Sequence, residues 1–296
     1  MSQKTRMGAV FAAIVGSFLA GTASAQVSVD GLTSIGKPVD RGLNFQPQAT
    51  ETMADIVWLD TMLLVICTVI CLFVVGLLAI VLMRYNSRSN PNPSSFTHNS
   101  PIEVAWTVIP IVILVFIGAF SLPVLFKQQI IPEADVTIKA TGFQWYWSYE
   151  YVDADMDGVE PSSIQFDSFM AERDQLADLG YADDEYLLAT DQAIVIPTGK
   201  KIVMQVTGAD VIHAWAMPAF GVKQDAVPGR LAELWFEVTP GMEGIYFGQC
   251  SELCGKDHAY MPITVKAVTQ EQYEEWLGRA YQEFAGRPLG VTVASN

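Results

Sequence analysis

The apolar and polar positions of this chain follow three different patterns. Residues 61–83 and 104–126 are two apolar stretches of 23 residues, and neither contains a charged side chain. A helix needs roughly 20 such residues to cross a bilayer core, so both are predicted to span a membrane. Pro110 and Pro123 interrupt the second stretch, which is tolerable where a neighbouring helix satisfies the freed carbonyls. Beyond them the period shortens to two. Residues 135–140 alternate, and 143–151 read Phe-Gln-Trp-Tyr-Trp-Ser-Tyr-Glu-Tyr, an aromatic-rich strand. Further strands are predicted at 185–190, 193–196, 201–207, 230–238, 244–250 and 263–268, with turn signals such as Pro197-Thr198-Gly199 and Pro240-Gly241 between them. Many short strands divided by Gly and Pro predict a β-sandwich or small barrel. The acidic stretch 153–184 has little period and reads as a surface insertion with one short helix, whereas 270–284 has helical spacing.

The ends and flanks of the apolar stretches set the topology. Lys4 and Arg6, an apolar run from Met7 to Ala20 and Ala23-Ser24-Ala25 have the order of a secretory signal, leaving Gln26 as the mature start. An uncleaved anchor is the alternative. The loop between the spans opens with Arg84 and Arg88, while Asp55, Asp60, Glu133 and Asp135 flank the outer ends. Basic residues favour the cytoplasmic side, so both termini are expected outside. The predicted organisation is a signal peptide at 1–25, an extracytoplasmic segment at 26–55 and a helical hairpin at 56–126 whose loop, 84–103, is cytoplasmic. An exported β domain at 127–270 and a C-terminal helix and tail at 271–296 complete it.

Composition agrees with this. Hydrophobic residues make up 51% of the chain and charged residues 17%, a membrane-protein balance. The net charge of −15 lies entirely in the exported part, where 26 Asp and Glu face 11 Lys and Arg from Lys127 onward. Such an acidic domain excludes nucleic acid as a natural partner and steers cationic ones.

The chemistry is concentrated in one segment. Cys250, Cys254, His258 and Met261 fall within twelve residues of a chain that has only 4 cysteines and 3 histidines. His213 lies upstream in Val211-Ile212-His213-Ala214-Trp215-Ala216-Met217-Pro218. Thiolate, imidazole and thioether are the donors that soft, redox-active copper prefers. Structural zinc with two Cys and two His, a Cys250–Cys254 disulfide and ordinary packing compete with copper on residue chemistry alone. Zinc has no use for Met261, and a disulfide leaves both histidines unexplained. Gly248, Gly255 and Pro262 place the segment on a loop between strands, where ligands are usually presented. Cys67 and Cys71, one turn apart in the first span, read as apolar packing residues.

These motifs resemble subunit II of the haem–copper cytochrome c oxidases. The resemblance runs through Phe96-Thr97-His98-Asn99-Ser100-Pro101-Ile102-Glu103 and through 139–151, 209–230 and 248–265. It implies a membrane-anchored α+β chain: a two-helix transmembrane hairpin followed by an all-β, cupredoxin-like Greek-key sandwich. It further implies two copper ions bridged by Cys250 and Cys254, one also held by His213 and Met261, the other by His258 and the backbone carbonyl of Glu252. The Glu252 carboxylate matches a ligand of a magnesium site shared with subunit I. Trp145 matches the tryptophan that receives electrons from cytochrome c, and Glu150, Asp191 and Asp210 match acidic docking positions. Strict alternation would instead bury Trp145 beside Trp147. Glu103 matches the mouth of a proton path into subunit I, and a helix-start acid is its plain alternative. His98 is expected to be a loop or interface residue. The implied partners are subunit I, other oxidase subunits, cytochrome c and membrane lipid. The implied location is the bacterial cytoplasmic (inner) membrane, with the copper domain on the periplasmic side. No C-x-x-C-H occurs, so no c-type haem is fused to the chain.

Overall fold

The computed structural model describes residues 29, 31–152 and 164–284. The expected signal peptide, the tail beyond Phe284 and the first part of the acidic insertion lie outside them.

Two helices form the hairpin, α1 (Glu51–Arg84) and α2 (Ser100–Gln129). Both are longer than the apolar stretches because each is capped upstream of its apolar run. The Thr50 hydroxyl accepts the Met53 N–H at 3.0 Å, and the Asn99 side chain accepts the Ile102 N–H at 3.3 Å. Trp58 of α1 packs on Phe120 of α2 with ring centroids 5.6 Å apart. The helices are long and apolar enough to cross a membrane, and their most apolar windows bury nothing within the chain. Those faces therefore require lipid or partner helices.

The hairpin is joined rigidly to the β domain. Lys127, at the end of α2, reaches Asp55 at 2.7 Å and Glu51 at 3.1 Å on α1. Its carbonyl accepts the Trp235 indole N–H at 3.1 Å. Just before α1, the Ala49 N–H donates to the Ala219 carbonyl and the Ala49 carbonyl accepts the Thr239 N–H.

The domain is a sandwich of two mixed sheets. One comprises β1 (Ser34–Gly36), β5 (Ile194–Pro197), β10 (Gly244–Gln249) and β11 (Pro262–Val268), in the order β1-β10-β11-β5. The other comprises β2 (Val136–Phe143), β3 (Tyr146–Tyr151), β4 (Ile164–Ser168), β6 (Ile202–Gly208) and β9 (Ala232–Phe236), in the order β4-β3-β2-β6-β9. A separate ribbon pairs β7 (His213–Met217) with β8 (Val222–Ala226). The pairs β1–β10, β5–β11 and β2–β6 are parallel, so the chain crosses repeatedly between sheets. The core between them holds Trp147, Tyr149, Trp215, Phe236 and Tyr246, all essentially inaccessible. Helix α3 (Gln270–Phe284) closes one side, with Trp276 5.1 Å from Tyr151 and Phe284 5.1 Å from Phe166 between ring centroids.

The structure departs from the sequence reading in several places. Within the expected N-terminal segment, Ser34–Gly36 forms β1 and pairs with β10, and Ala49 bonds into the domain. The strand expected at 143–151 breaks into a hairpin whose turn is Gln144-Trp145. The strand expected at 185–190 is a series of turns, because the Glu185 carboxylate accepts the Ala182 N–H at 2.9 Å and caps a short helical turn there. Strand β4 lies within the stretch read as an insertion, and β7 and β8 were not predicted. Every residue of β7 is buried, and a strand buried on both faces shows no alternation.

Candidate metal centre

Three strand ends converge at one end of the sandwich. His213 opens β7, Cys250 follows β10, and Met261 precedes β11. Because β10 and β11 are antiparallel with Gln249 opposite Pro262, residues 250–261 form a single hairpin loop. The Ser251 N–H donates to the Ala214 carbonyl at 3.0 Å, which pins that loop beside His213.

The loop brings the soft donors together. The Cys250 and Cys254 sulfurs stand 3.9 Å apart, far beyond the disulfide length of about 2.05 Å, and both thiols are free. His213 Nδ1 lies 3.9 Å from the Cys250 sulfur, and His258 Nδ1 lies 3.5 Å from that of Cys254. Met261 Sδ is 3.4 Å from the Cys254 sulfur, and the Glu252 carbonyl oxygen is 3.3 Å from that of Cys250. Donor atoms of His213, Cys250 and Cys254 all fall within 4.8 Å of one another. At a metal–thiolate length of about 2.3 Å, one ion can bond both sulfurs across their gap. An imidazole beside each sulfur and a thioether at one side suit copper better than zinc.

The surroundings prepare these donors. Asp210 Oδ1 accepts from His213 Nε2 at 2.9 Å, and because a carboxylate only accepts, the proton sits on Nε2 and Nδ1 faces the sulfur. Burial pushes the Asp210 carboxyl up, but bonds from His213, the Val211 N–H and the Gln144 N–H pull it below the usual range. Burial also favours neutral His213, and the neighbouring Cys250 and Asp210 outweigh it and raise its pKa. The two thiols diverge. Burial raises Cys250, yet bonds from His213 and the Ala214 backbone bring it down. Cys254 is driven up by burial and then by the charge on Cys250. One thiolate therefore forms readily, and the second needs a cation.

The remaining predicted site residues are distributed as follows. Trp145 is half-buried in the β2–β3 turn, and its indole N–H donates to the Cys254 carbonyl at 3.3 Å. The turn, not alternation, sets its position at the edge of the core, half-buried and packed against it. Lys256 stands 6.0 Å over its ring. Glu150 is paired with Lys139 at 3.2 Å. Asp191 accepts the Phe169 and Gln192 N–H groups at 2.7 Å, and burial raises its pKa against them. The Glu252 side chain is exposed on the loop. Glu103 accepts the Asn99 N–H at 3.1 Å at the start of α2, and His98 is exposed just before it. Sequence reasoning missed Gln144 and the Asp210–His213 bond. Gln144 meets segments far from it in sequence, and Asp210, though only three residues before His213, belongs to no motif that marks it as the partner of that ring.

A mixed β-sandwich with Cys, His and Met donors on the loops at one end, hung from an apolar helical hairpin, is a membrane-anchored cupredoxin-type metalloprotein. The family description "Cytochrome C oxidase subunit II, periplasmic domain" matches residues 136–268, and the description of its transmembrane domain matches 38–124. The chain belongs to the cytochrome c oxidase subunit II family. Subunit 2 of Cereibacter sphaeroides is 52% identical, covering 93% of this chain and 94% of the relative. That of Zea mays is 42% identical, covering 79% and 88%. The crystal structure of the periplasmic domain of subunit II (CoxB) of Bradyrhizobium japonicum is 49% identical over 53% of this chain and 100% of that chain, with a TM-score of 0.45. The protein is therefore a subunit of a haem–copper oxidase, an oxidoreductase complex.

Proposed function

We propose that this subunit takes electrons from reduced cytochrome c at a binuclear copper centre and passes them to haem in subunit I, where oxygen is reduced and protons are translocated. The observation that carries the reading is the pair of free thiols 3.9 Å apart with an imidazole beside each. When bound, the copper would supply a one-electron acceptor. Cys250, Cys254, His213, His258, Met261 and the Glu252 carbonyl would hold the copper. Buried Cys250, Cys254, His213 and Met261 keep water from the donors, which limits the solvent rearrangement each electron requires.

Trp145 receives the electron on this reading. Its indole touches the carbonyl of a bridging cysteine, which makes the path from surface to centre short. The acidic domain steers basic cytochrome c towards it, and Glu150, Asp191 and Asp210 add to that field even though each is bonded within the fold. The exposed Glu252 carboxylate supplies one ligand to magnesium at the contact with subunit I, and the partner provides the others. Glu103 lies at the mouth of a proton path, a role checked by oxygen turnover of Glu103→Gln in the assembled oxidase. The hairpin sits in the bacterial inner membrane with the copper domain in the periplasm.

Copper content and the electron paramagnetic resonance spectrum of the purified oxidase test the reading. Two coppers in this subunit sharing one unpaired electron are expected. A single isolated copper, or zinc in its place, overturns it.

A further inference from the structure

Gln144 reaches both ligand-bearing loops at once. Its backbone N–H donates to Asp210 Oδ2 at 2.8 Å, and the other oxygen of that carboxylate holds His213 Nε2 at 2.9 Å and the Val211 N–H at 2.6 Å. Its side-chain amide donates to the Cys254 carbonyl at 2.8 Å, the same oxygen that accepts the Trp145 indole N–H at 3.3 Å. Gln144 is an exposed residue, so water could satisfy its amide, yet both of its donors point inward at groups adjoining the metal ligands.

The opposing loop is shaped to receive it. Gly255 has φ +124°, and a Cβ there would stand 3.1 Å from Gln144 Nε2 and 3.1 Å from Trp145 Cζ2. A side chain at this position would push the turn away from the loop. On the other side of the turn, the Ala209 N–H donates to the Gly142 carbonyl at 2.9 Å. The turn is thus bonded to 209–213 on one flank and to 250–261 on the other.

We propose that Gln144 is a positioning residue: it clamps the Trp145 turn to the His213 arm and the Cys254 loop, fixing the gap that the electron crosses into the centre. The inference rests on the function proposed above. Gln144 has no role in the chemistry of the metals. It acts through distance, and electron transfer falls exponentially with the gap. In each uptake event one electron leaves ferrous cytochrome c and reduces the copper pair by one, and Gln144 takes no part in that balance. Without the amide, the turn keeps the backbone bonds of Gln144 to Asp210 and of Ala209 to Gly142 on one flank, but only the longer indole bond to the Cys254 loop on the other.

The test compares Gln144→Met with the unaltered oxidase, in the assembled complex, by fast kinetics from photoreduced cytochrome c. Uptake into copper is expected to slow about three- to tenfold, because one net hydrogen bond sets the share of time that the turn stands at the short gap. Onward transfer from copper to haem, copper content and the copper spectrum should stay unchanged. Equal slowing of both steps, or no slowing of the first, overturns the proposal. If Gln144→Met loads no copper, Gln144→Asn, which keeps a donor on a shorter arm, is read by the same two rates and the same criteria. An unaltered oxidase lacking the two-copper spectrum removes the functional reading itself, before any variant is compared.

Discussion

Gly142 lies flat against the imidazole of His213: a Cβ on the glycine would stand 2.8 Å from Cδ2 of the ring and 2.9 Å from Cγ. Neither side can yield easily. Gly142 pairs with Trp147 of β3 and Gly208 of β6 at once, and His213 is fully buried with Trp147 against its ring. Gly142→Ala is therefore expected to destabilise the protein by about 1–3 kcal/mol through overpacking and to reduce copper retention. Thermal unfolding together with metal analysis checks both.

Tyr151 fastens the two sheets to each other. Its hydroxyl donates to the Val195 carbonyl at 2.8 Å and accepts the Val195 N–H at 2.9 Å, all out of water. Tyr151→Phe leaves both backbone groups unsatisfied at an expected cost of about 1–3 kcal/mol. Denaturant unfolding reads this directly, and a loss below a few tenths would mean that other partners replace the hydroxyl.

Metal loading should depend on pH in a definite sense. In the metal-free protein, burial and the charge on Cys250 keep Cys254 protonated at neutral pH, and His213 is shifted towards its protonated form. Copper must displace these protons, so loading releases protons and affinity rises with pH. Between about pH 6 and pH 8 the apparent affinity should change about tenfold per unit for each proton displaced. Competition titrations across that range measure the slope, and a flat profile would mean that the ligands are already deprotonated.

The balance of −15 from Lys127 onward makes turnover with a basic donor sensitive to salt. kcat/KM for cytochrome c is expected to fall steeply as ionic strength rises past about 0.1 M, where the screening length is about 10 Å. Turnover that is indifferent to salt would sink acidic docking.

The sequence exposed some layers of this structure and concealed others, for physical reasons. The spans were legible because a bilayer demands about 20 unbroken apolar residues. The candidate donors Cys250, Cys254, His258 and Met261 were legible because one hairpin loop carries all four within twelve residues. Strand β7 was hidden because each of its side chains, His213 included, is buried, leaving no alternation to read. The turn at Gln144-Trp145 carries none of the Gly, Pro or Asn signals that mark hairpins, so 143–151 read as one strand and Trp145 appeared to point inwards. The resemblance marks Asp210 as a docking acid, and its bond to His213, three residues on, became visible only in the fold of the 209–213 turn.

The Thr50 hydroxyl, besides accepting from Met53, donates to the Phe220 carbonyl at 2.8 Å, so the first helix starts inside the β domain with no slack between them. The anchor consequently works as a ruler and a compass. Each residue inserted between Met53 and the apolar stretch would lift the domain by about 1.5 Å and swing it by about 100° around the helix axis. Altitude above the lipid and bearing towards the neighbouring subunit are thus both written into the residue count of a single helix.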